Sequence, residues 1–391
     1  MDVKRFENSP IGKVVPITIA MRDQTVDHFA YVPQPLPARI ELSDATRMAV
    51  SEADQALGKL EGLASLLPNP HLLIRPTIRR EAVSTSALEG THTALTDLLE
   101  AEFVESSRDR AEVVEVLNYM RATEAALLRL QREPIHLNML LGLHSILFQR
   151  VRADMAEIGQ VRSVPVLIGP SGARPAAAHF VPPPPAVLHD LLDDWEKWNY
   201  RDDHIPIVVR AAVSHYQFET IHPFRDGNGR IGRLVAALLL IDRGPLSGHL
   251  FSLSPFLEAR RAEYGELLRN VSATGEWNDW VEFFARGVAN QADGSRLRVE
   301  RLIHWREETV ARLRAEGLKG TTITIAESLI GYPGVTPTEA AVRFDVTYRS
   351  ANRSIGKLEA LGILTETTGR TYDRFFLCRD VVDIIQSHDP D

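Results

Sequence analysis

From Ser43 to Gly317 almost every stretch of this chain repeats apolar residues at helical spacing, and that periodicity confines most of it to a helical bundle. SDATRMAVSEADQALGKLEGLASLL opens with Ser43 and Asp44 as N-caps and stops before Pro68. Helices are expected at about 75–88, 94–105, 109–131 and 136–149, the last with Leu140, Leu141, Leu143, Leu147 and Phe148 in a buried stripe. After VLHDLLDDWEKWNY come two helices that flank residues 222–233, then helices at about 256–271 and 277–290. A charged helix from 292 to about 317 reads as a solvent-exposed connector.

Three stretches break this pattern. The first 40 residues are short apolar runs broken by Pro and read as an irregular or extended arm. Residues 159–185, VRSVPVLIGPSGARPAAAHFVPPPP at their heart, combine β-branched residues with a Gly-Pro-Ser-Gly turn, the pattern of a short β-hairpin covering a site. Residues 321–391 read as a helix, a Thr-capped helix, a turn, a longer helix and two strands joined at Thr368-Gly369-Arg370, the order of a winged helix-turn-helix.

Composition narrows the function. The 391 residues carry a net charge of −8, which argues against a chain held on nucleic acid by bulk electrostatics. Cys378 is the one cysteine, so an internal disulfide or a cysteine-rich zinc site is excluded, which fits a reducing compartment and points to the cytoplasm. The longest apolar runs are far short of a bilayer span, and MDVKRFENSPIGK has no apolar core behind its early charge, so it does not read as a secretory signal.

The chemistry concentrates in HPFRDGNGRIGR at 222–233. Asp226-Gly227-Asn228-Gly229 forms a turn with little side-chain bulk, and its amides, with the positive end of the following helix, converge on one spot as an anion cradle. Arg230 and Arg233, three apart, can clamp further phosphate oxygens. Asp226 offers one hard oxygen to Mg²⁺, and His222 can take a proton from a hydroxyl nucleophile. Phe224 reads as a buried anchor for the loop. A calcium loop is unlike this pattern, because Arg230 falls at the fifth ligand position and no Glu closes the loop. Together the residues suit transfer of a nucleotide phosphate group to a hydroxyl.

This stretch resembles the signature of the Fic/Doc family at every position, and the likeness extends over roughly residues 40–290. The resemblance implies a helical Fic core at 111–291 behind an N-terminal region at 1–110, with the 292–320 connector and the winged unit at 321–391 following. It implies transfer of AMP from ATP to a Ser, Thr or Tyr hydroxyl of a target protein or of the chain itself. His222 would be the general base, Asp226 the Mg²⁺ ligand, and Gly227, Asn228 and Gly229 the α- and β-phosphate cradle. Arg230 and Arg233, with Ile231 and Gly232 between them, would complete the β and γ contacts. Tyr264 would lie near the adenine, and Gly265 stands where similar proteins carry a second aromatic, which opens that pocket. The hairpin resembles the family's flap, on which a target segment would pair with residues 164–168.

VSTSALEGT at 83–91 resembles the family's inhibitory motif through Thr85, Glu89 and Gly90, on a helix of about 75–90. A Glu89 carboxylate paired with Arg233 would occupy the guanidinium meant for the γ-phosphate. The same resemblance leaves open removal of AMP, transfer of another phosphate-containing group, and self-association into a homodimer. A competing class is an ATP-sensing transcription regulator, for which Arg349, Arg353 and Lys357 would form a DNA-reading face. Residues 321–391 hold 7 Lys and Arg against 10 Asp and Glu, so DNA contact is not the favoured role of that unit.

Overall fold

The computed structural model describes residues 1–21, 24–65, 71–104, 110–151, 157–170, 172, 174–370 and 374–387. Helices α1 (Asp44–Ser65), α2 (His71–Leu88), α3 (Leu95–Phe103), α4 (Ala111–Leu130) and α5 (Leu137–Leu147) build the first half of a bundle. It continues through α6 (Leu188–Asn199), α7 (Ile207–Ile221), α8 (Asn228–Asp242), α9 (Ser254–Ala259), α10 (Arg261–Thr274) and α11 (Asn278–Ala315). Helices α7 and α8 lie at its centre: nearly every residue of both is buried, including Arg210, His215, Arg230 and Arg233. A helix that is buried all round must pair its polar side chains internally, so these positions carry a cost that the packing alone does not explain.

The bundle confirms the helical reading and corrects three details. The arm at 1–40 is a β-hairpin, β1 (Gly12–Ala20) paired antiparallel with β2 (Thr25–Pro33). Pro16 sits inside β1, which a two-stranded ribbon tolerates because each strand has an open edge. The expected helix at 256–271 is split at Arg260 into α9 and α10. The separate helices at 277–290 and 292–317 are one, α11, and its second half is no free connector, since Val299, Leu302, Val310 and Leu313 are buried.

The hairpin expected at 159–185 closes through one antiparallel bridge, Ile168 with Phe180, rather than a longer ladder among the described residues. Its return arm leans on β2, where the Tyr31 amide donates to Val181 O at 2.9 Å. Phe6, Tyr31 and Phe180 meet at ring-centroid distances of 5.5 to 5.7 Å and form the heart of a second, smaller core. The N-terminal hairpin thus backs the segment that the sequence marks as a flap.

After α11 the chain forms α12 (Thr321–Ser328), β3 (Gly334–Val335), α13 (Pro337–Arg343), α14 (Tyr348–Ala360), β4 (Thr365–Glu366), β5 (Phe376–Leu377) and α15 (Arg379–Gln386). Its three short strands run in the order β3-β5-β4, all antiparallel. Thr336 and Thr347 cap α13 and α14 through their side chains, as the sequence suggests for α13. Strand β3 and helix α15 were not expected.

This unit grips α2. Arg79, fully buried, donates to both carboxylate oxygens of Glu102 at 2.6 and 2.8 Å and to Gly331 O at 2.6 Å. Arg75 reaches the Tyr332 hydroxyl at 3.0 Å, and Phe103 stacks on Phe375. Two residues further along α2 than Arg79, Glu81 accepts from Ser252 Oγ at 2.7 Å and from the Ser254 amide at 3.0 Å. Helix α2 is therefore held from two sides before its last turn reaches the centre of the bundle.

Candidate active site

His222 ends α7 in the left-handed region, with φ 51° and ψ 61°, and its amide donates to Phe218 O at 2.9 Å. That conformation is uncommon for a residue with a Cβ, and here it turns the chain sharply into the loop 223–227. The ring Nδ1 lies 3.1 Å from Glu219 O. A carbonyl only accepts, so Nδ1 carries the proton and Nε2 keeps its lone pair, the tautomer a general base needs. Burial, then the nearby Arg162 cation, lowers the His222 pKa to about 4.

The loop after His222 is built from within. Phe224 is buried, its amide donates to Asn228 Oδ1 at 2.8 Å, and Asn228 Nδ2 returns a bond to Phe224 O at 2.9 Å. The Asn228 side chain is thus committed to loop geometry, leaving the backbone to face an anion. Gly227 has φ 81°, and a Cβ there would stand 2.8 Å from Phe148 Cε2, so only glycine fits both conformation and space. Asp226 sits at the mouth of the turn, its side chain 30% exposed and Oδ1 accepting from the Gly227 amide at 2.6 Å.

The two arginines diverge. Arg230 is buried, with Nη1 3.4 Å from Glu115 Oε2, Nη2 3.6 Å from Asp226 Oδ1 and its guanidinium 5.1 Å from the Phe148 ring centroid. Arg233 turns to the end of α2, where Nε donates to Thr85 Oγ1 at 2.7 Å and Nη2 to Thr85 O at 3.1 Å and Glu89 Oε1 at 2.6 Å. Glu89 follows the last residue of α2, and Gly90, φ 91°, turns the chain away. Burial would raise the Glu89 carboxyl, but Arg233, helped by Arg230 and His222, holds it below its ordinary value. A Cβ on Gly229 would stand 2.2 Å from Glu89 Oε1, so the second glycine of the turn makes room for this carboxylate.

Other expected residues take different places. Ile231 is packed in the core, and its amide is already bonded to Gly227 O at 3.1 Å. Gly232 lies against Glu219 and Phe218. Tyr264 is buried with its hydroxyl 2.7 Å from His215 Nε2, while Gly265, on the same helix, has only the Arg269 guanidinium nearby. Val164 is exposed and Pro165 to Ile168 half-buried.

Other residues that shape the site escaped the sequence reading. Arg162, almost fully buried, donates to the carbonyls of His222 at 2.8 Å, Val164 at 3.0 Å and Pro183 at 2.7 Å, tying the flap to the end of α7. His144 stacks on Phe224 at 4.1 Å and lies 3.1 Å from Asp226 O, while its Nδ1 accepts from the Gly159 amide. Glu115 joins Arg230 to Thr91, whose hydroxyl donates at 2.9 Å. A single His or Glu within an apolar helix gives no signal of this until the loop it supports is placed.

A small-residue turn at a helix N-terminus, a histidine free at Nε2 and an arginine paired with a carboxylate thus meet where α2, α7 and α8 converge. Residues 47–128 match the Fic/DOC family N-terminal domain and residues 134–240 the Fic/DOC family domain; the chain belongs to that family. It is 36% identical over 92 residues to a probable protein adenylyltransferase of Aquifex aeolicus, a stretch that is 23% of this chain and 29% of that protein. It is 28% identical over 224 residues to the protein adenylyltransferase fic-1 of Caenorhabditis elegans, 55% of this chain and 40% of that protein. The chain therefore spans less than half the length of these curated relatives. A Fic family protein from Desulfovibrio desulfuricans G20 shares the fold, with a TM-score of 0.55 at 20% identity over 88% of this chain and 98% of that one.

Proposed function

We propose that this chain is a protein adenylyltransferase, moving AMP from ATP to a Ser, Thr or Tyr hydroxyl of a target protein or of itself, and held in check by Glu89. The observation that carries the reading is the free Nε2 of His222 beside the 227–229 turn, with Arg233 tied to Glu89 rather than open to a phosphate. The names of the relatives support the same activity.

In this reading the target hydroxyl gives its proton to His222 Nε2 as its oxygen bonds to the α-phosphorus. The bond from that phosphorus to the bridging oxygen breaks, and pyrophosphate leaves. Backbone amides at the start of α8 and the Arg230 and Arg233 guanidiniums hold the phosphate oxygens. Asp226 fits a Mg²⁺ role: its carboxylate is partly exposed at the mouth of the turn and offers a hard oxygen, which suits an ion held mainly by phosphates and water. Such an ion would supply charge neutralisation on the leaving group. No group of three or more His, Cys, Asp or Glu able to hold a metal by itself occurs among the described residues.

The target would pair with the flap backbone at 164–168, beside His222 through Arg162. Tyr264 and Gly265 would border the adenine, self-association would bring one chain's hydroxyl to another's flap, and the cytoplasm would supply ATP. The unit at 321–391 would act as a winged helix whose role is protein contact rather than DNA binding.

The test is mass spectrometry of the intact protein and of its Glu89→Gly and His222→Ala variants after incubation with ATP and Mg²⁺. A gain of one AMP that grows in the first variant and is absent from the second is the expected result. ATP binding without any gain in any variant would turn the reading to a sensor, or to a donor other than ATP.

A further inference from the structure

One buried acid in the site has no part in the scheme above. Glu219, one turn before His222 on α7, points its carboxyl at the inner side of the ring: Oε2 is 3.9 Å from His222 Nδ1, while Oε1 is buried without a hydrogen-bond partner. It is the one carboxylate within ion-pairing distance of His222 among the described residues.

The neighbouring helix is shaped to receive it. A Cβ on Gly232 would stand 2.4 Å from Glu219 Oε1 and 3.0 Å from Phe218 Cδ1. Glycine weakens a helix relative to alanine, and α8 carries one at the contact where a methyl group would have to displace the carboxyl. A glycine on one helix and an unpaired acid oxygen on the next thus meet at one contact.

We infer that Glu219 is a positioning residue for His222: its carboxylate stands behind the ring and stabilises the imidazolium that forms when Nε2 takes the hydroxyl proton. The inference rests on the adenylyltransferase reading. Glu219 meets the ring at Nδ1, away from the reacting Nε2. Its carbonyl fixes the tautomer by accepting from Nδ1, and its carboxylate favours the protonated ring by charge.

The surroundings make this aid conditional. Facing the Glu219 carboxyl are His222 on its own helix, Arg233 from α8, Glu89 from the end of α2 and Tyr264 from α10. Burial raises the Glu219 pKa to about 7, Arg233 opposes the rise and the Glu89 charge adds to it. Glu89 therefore acts on the site twice, occupying Arg233 and adding a negative charge that opposes ionisation of Glu219. Its withdrawal from Arg233 makes the acid behind the base easier to ionise.

Two measurements on the full chain decide this. With ¹⁵N-histidine labelling, and the His222 signal assigned by its loss in His222→Ala, the ring shifts of His222 are followed against pH. They are expected to step near neutrality as Glu219 ionises, and Glu219→Gln, equal in shape and checked for an unchanged melting temperature, should lose that step. A step that persists in Glu219→Gln overturns the inference. In the Glu89→Gly background, Glu219→Gln should lower kcat roughly tenfold, part of the ~10²–10⁴ that a positioned base contributes, with KM for ATP unchanged and the rise of rate with pH flattened. Equal kcat and an equal pH profile would also overturn it. If Glu89→Gly makes no AMP adduct, the adenylyltransferase reading falls, and the ring titration still settles whether Glu219 governs His222.

Discussion

Glu89 Oε1 and Arg233 Nη2 stand 2.6 Å apart, joining the end of α2 to the second turn of α8 across 144 positions of sequence. Arg233 is 3% exposed and Glu89 31%, so the pair is anchored on its buried cationic side and open to solvent on its acidic side. A buried guanidinium is costly without a partner, and a phosphate oxygen can replace a carboxylate in that role.

Removing the carboxylate should therefore free the arginine without unfolding the site. Glu89→Gly is expected to raise AMP incorporation at least about tenfold, equivalent to about 1.4 kcal/mol of ground-state restraint. Thr85 would still accept from Arg233 Nε and keep the guanidinium oriented. Radiolabel transfer from α-labelled ATP measures the rate, and an unchanged rate would remove Glu89 from the account of regulation.

Gly227→Ala tests the cradle as a shape. The residue would need φ 81° and would press its Cβ against Phe148 and Leu147. A loss of about 1–3 kcal/mol in unfolding free energy is expected, read by urea denaturation, together with weaker ATP binding. Wild-type stability in this variant would mean that the loop has another conformation.

Much of this was legible in the sequence where a single local rule dominated. The 3.6-residue period located the helices, and the twelve residues at 222–233 announced an anion site because small residues, an acid and two arginines seldom meet otherwise. What escaped depends on tertiary placement. Pro16 reads as a breaker until β1 is known to be half of a two-stranded ribbon. Arg230 and Arg233 share a helix face by spacing, yet the former finds Glu115 on α4 and the latter Thr85 and Glu89. Glu219, His144 and Arg162 lie in apolar or proline-rich surroundings that give them no pattern of their own.

The grip of the C-terminal unit on α2 gives a prediction about stability and restraint together. Arg79→Ala would leave Glu102, whose side chain is 10% exposed, without its two bonds, and would free Gly331 O. Breaking one side of a buried pair costs about 3–5 kcal/mol. Unfolding by urea should show that loss. The loosened helix should also raise AMP incorporation, by less than Glu89→Gly because the contacts of Thr85 and Glu89 with Arg233 remain available.

Acid should destabilise the fold between pH 6.5 and 4. Burial is the first cause lowering the pKa values of His144, His215 and His222, each from 6.5 to about 4. Across that window the unfolded chain binds protons that the folded chain refuses, so stability rises with pH and is lost as pH falls. Each group contributes at most about 3 kcal/mol. Glu219 acts in the opposite sense: with its pKa raised to about 7, the folded chain binds a proton that the unfolded carboxylate has released, so its contribution falls as pH rises from 4.5 to 7. Burial lowers the His249 pKa in the same direction, so the buried histidines outweigh one acid and the net slope is expected to be positive. Urea midpoints at pH 7.5, 6 and 5 should fall in that order, and His144→Asn should reduce the slope. A midpoint independent of pH across this range would mean that the rings titrate in the folded chain as they do in the unfolded one, and that burial does not hold them neutral.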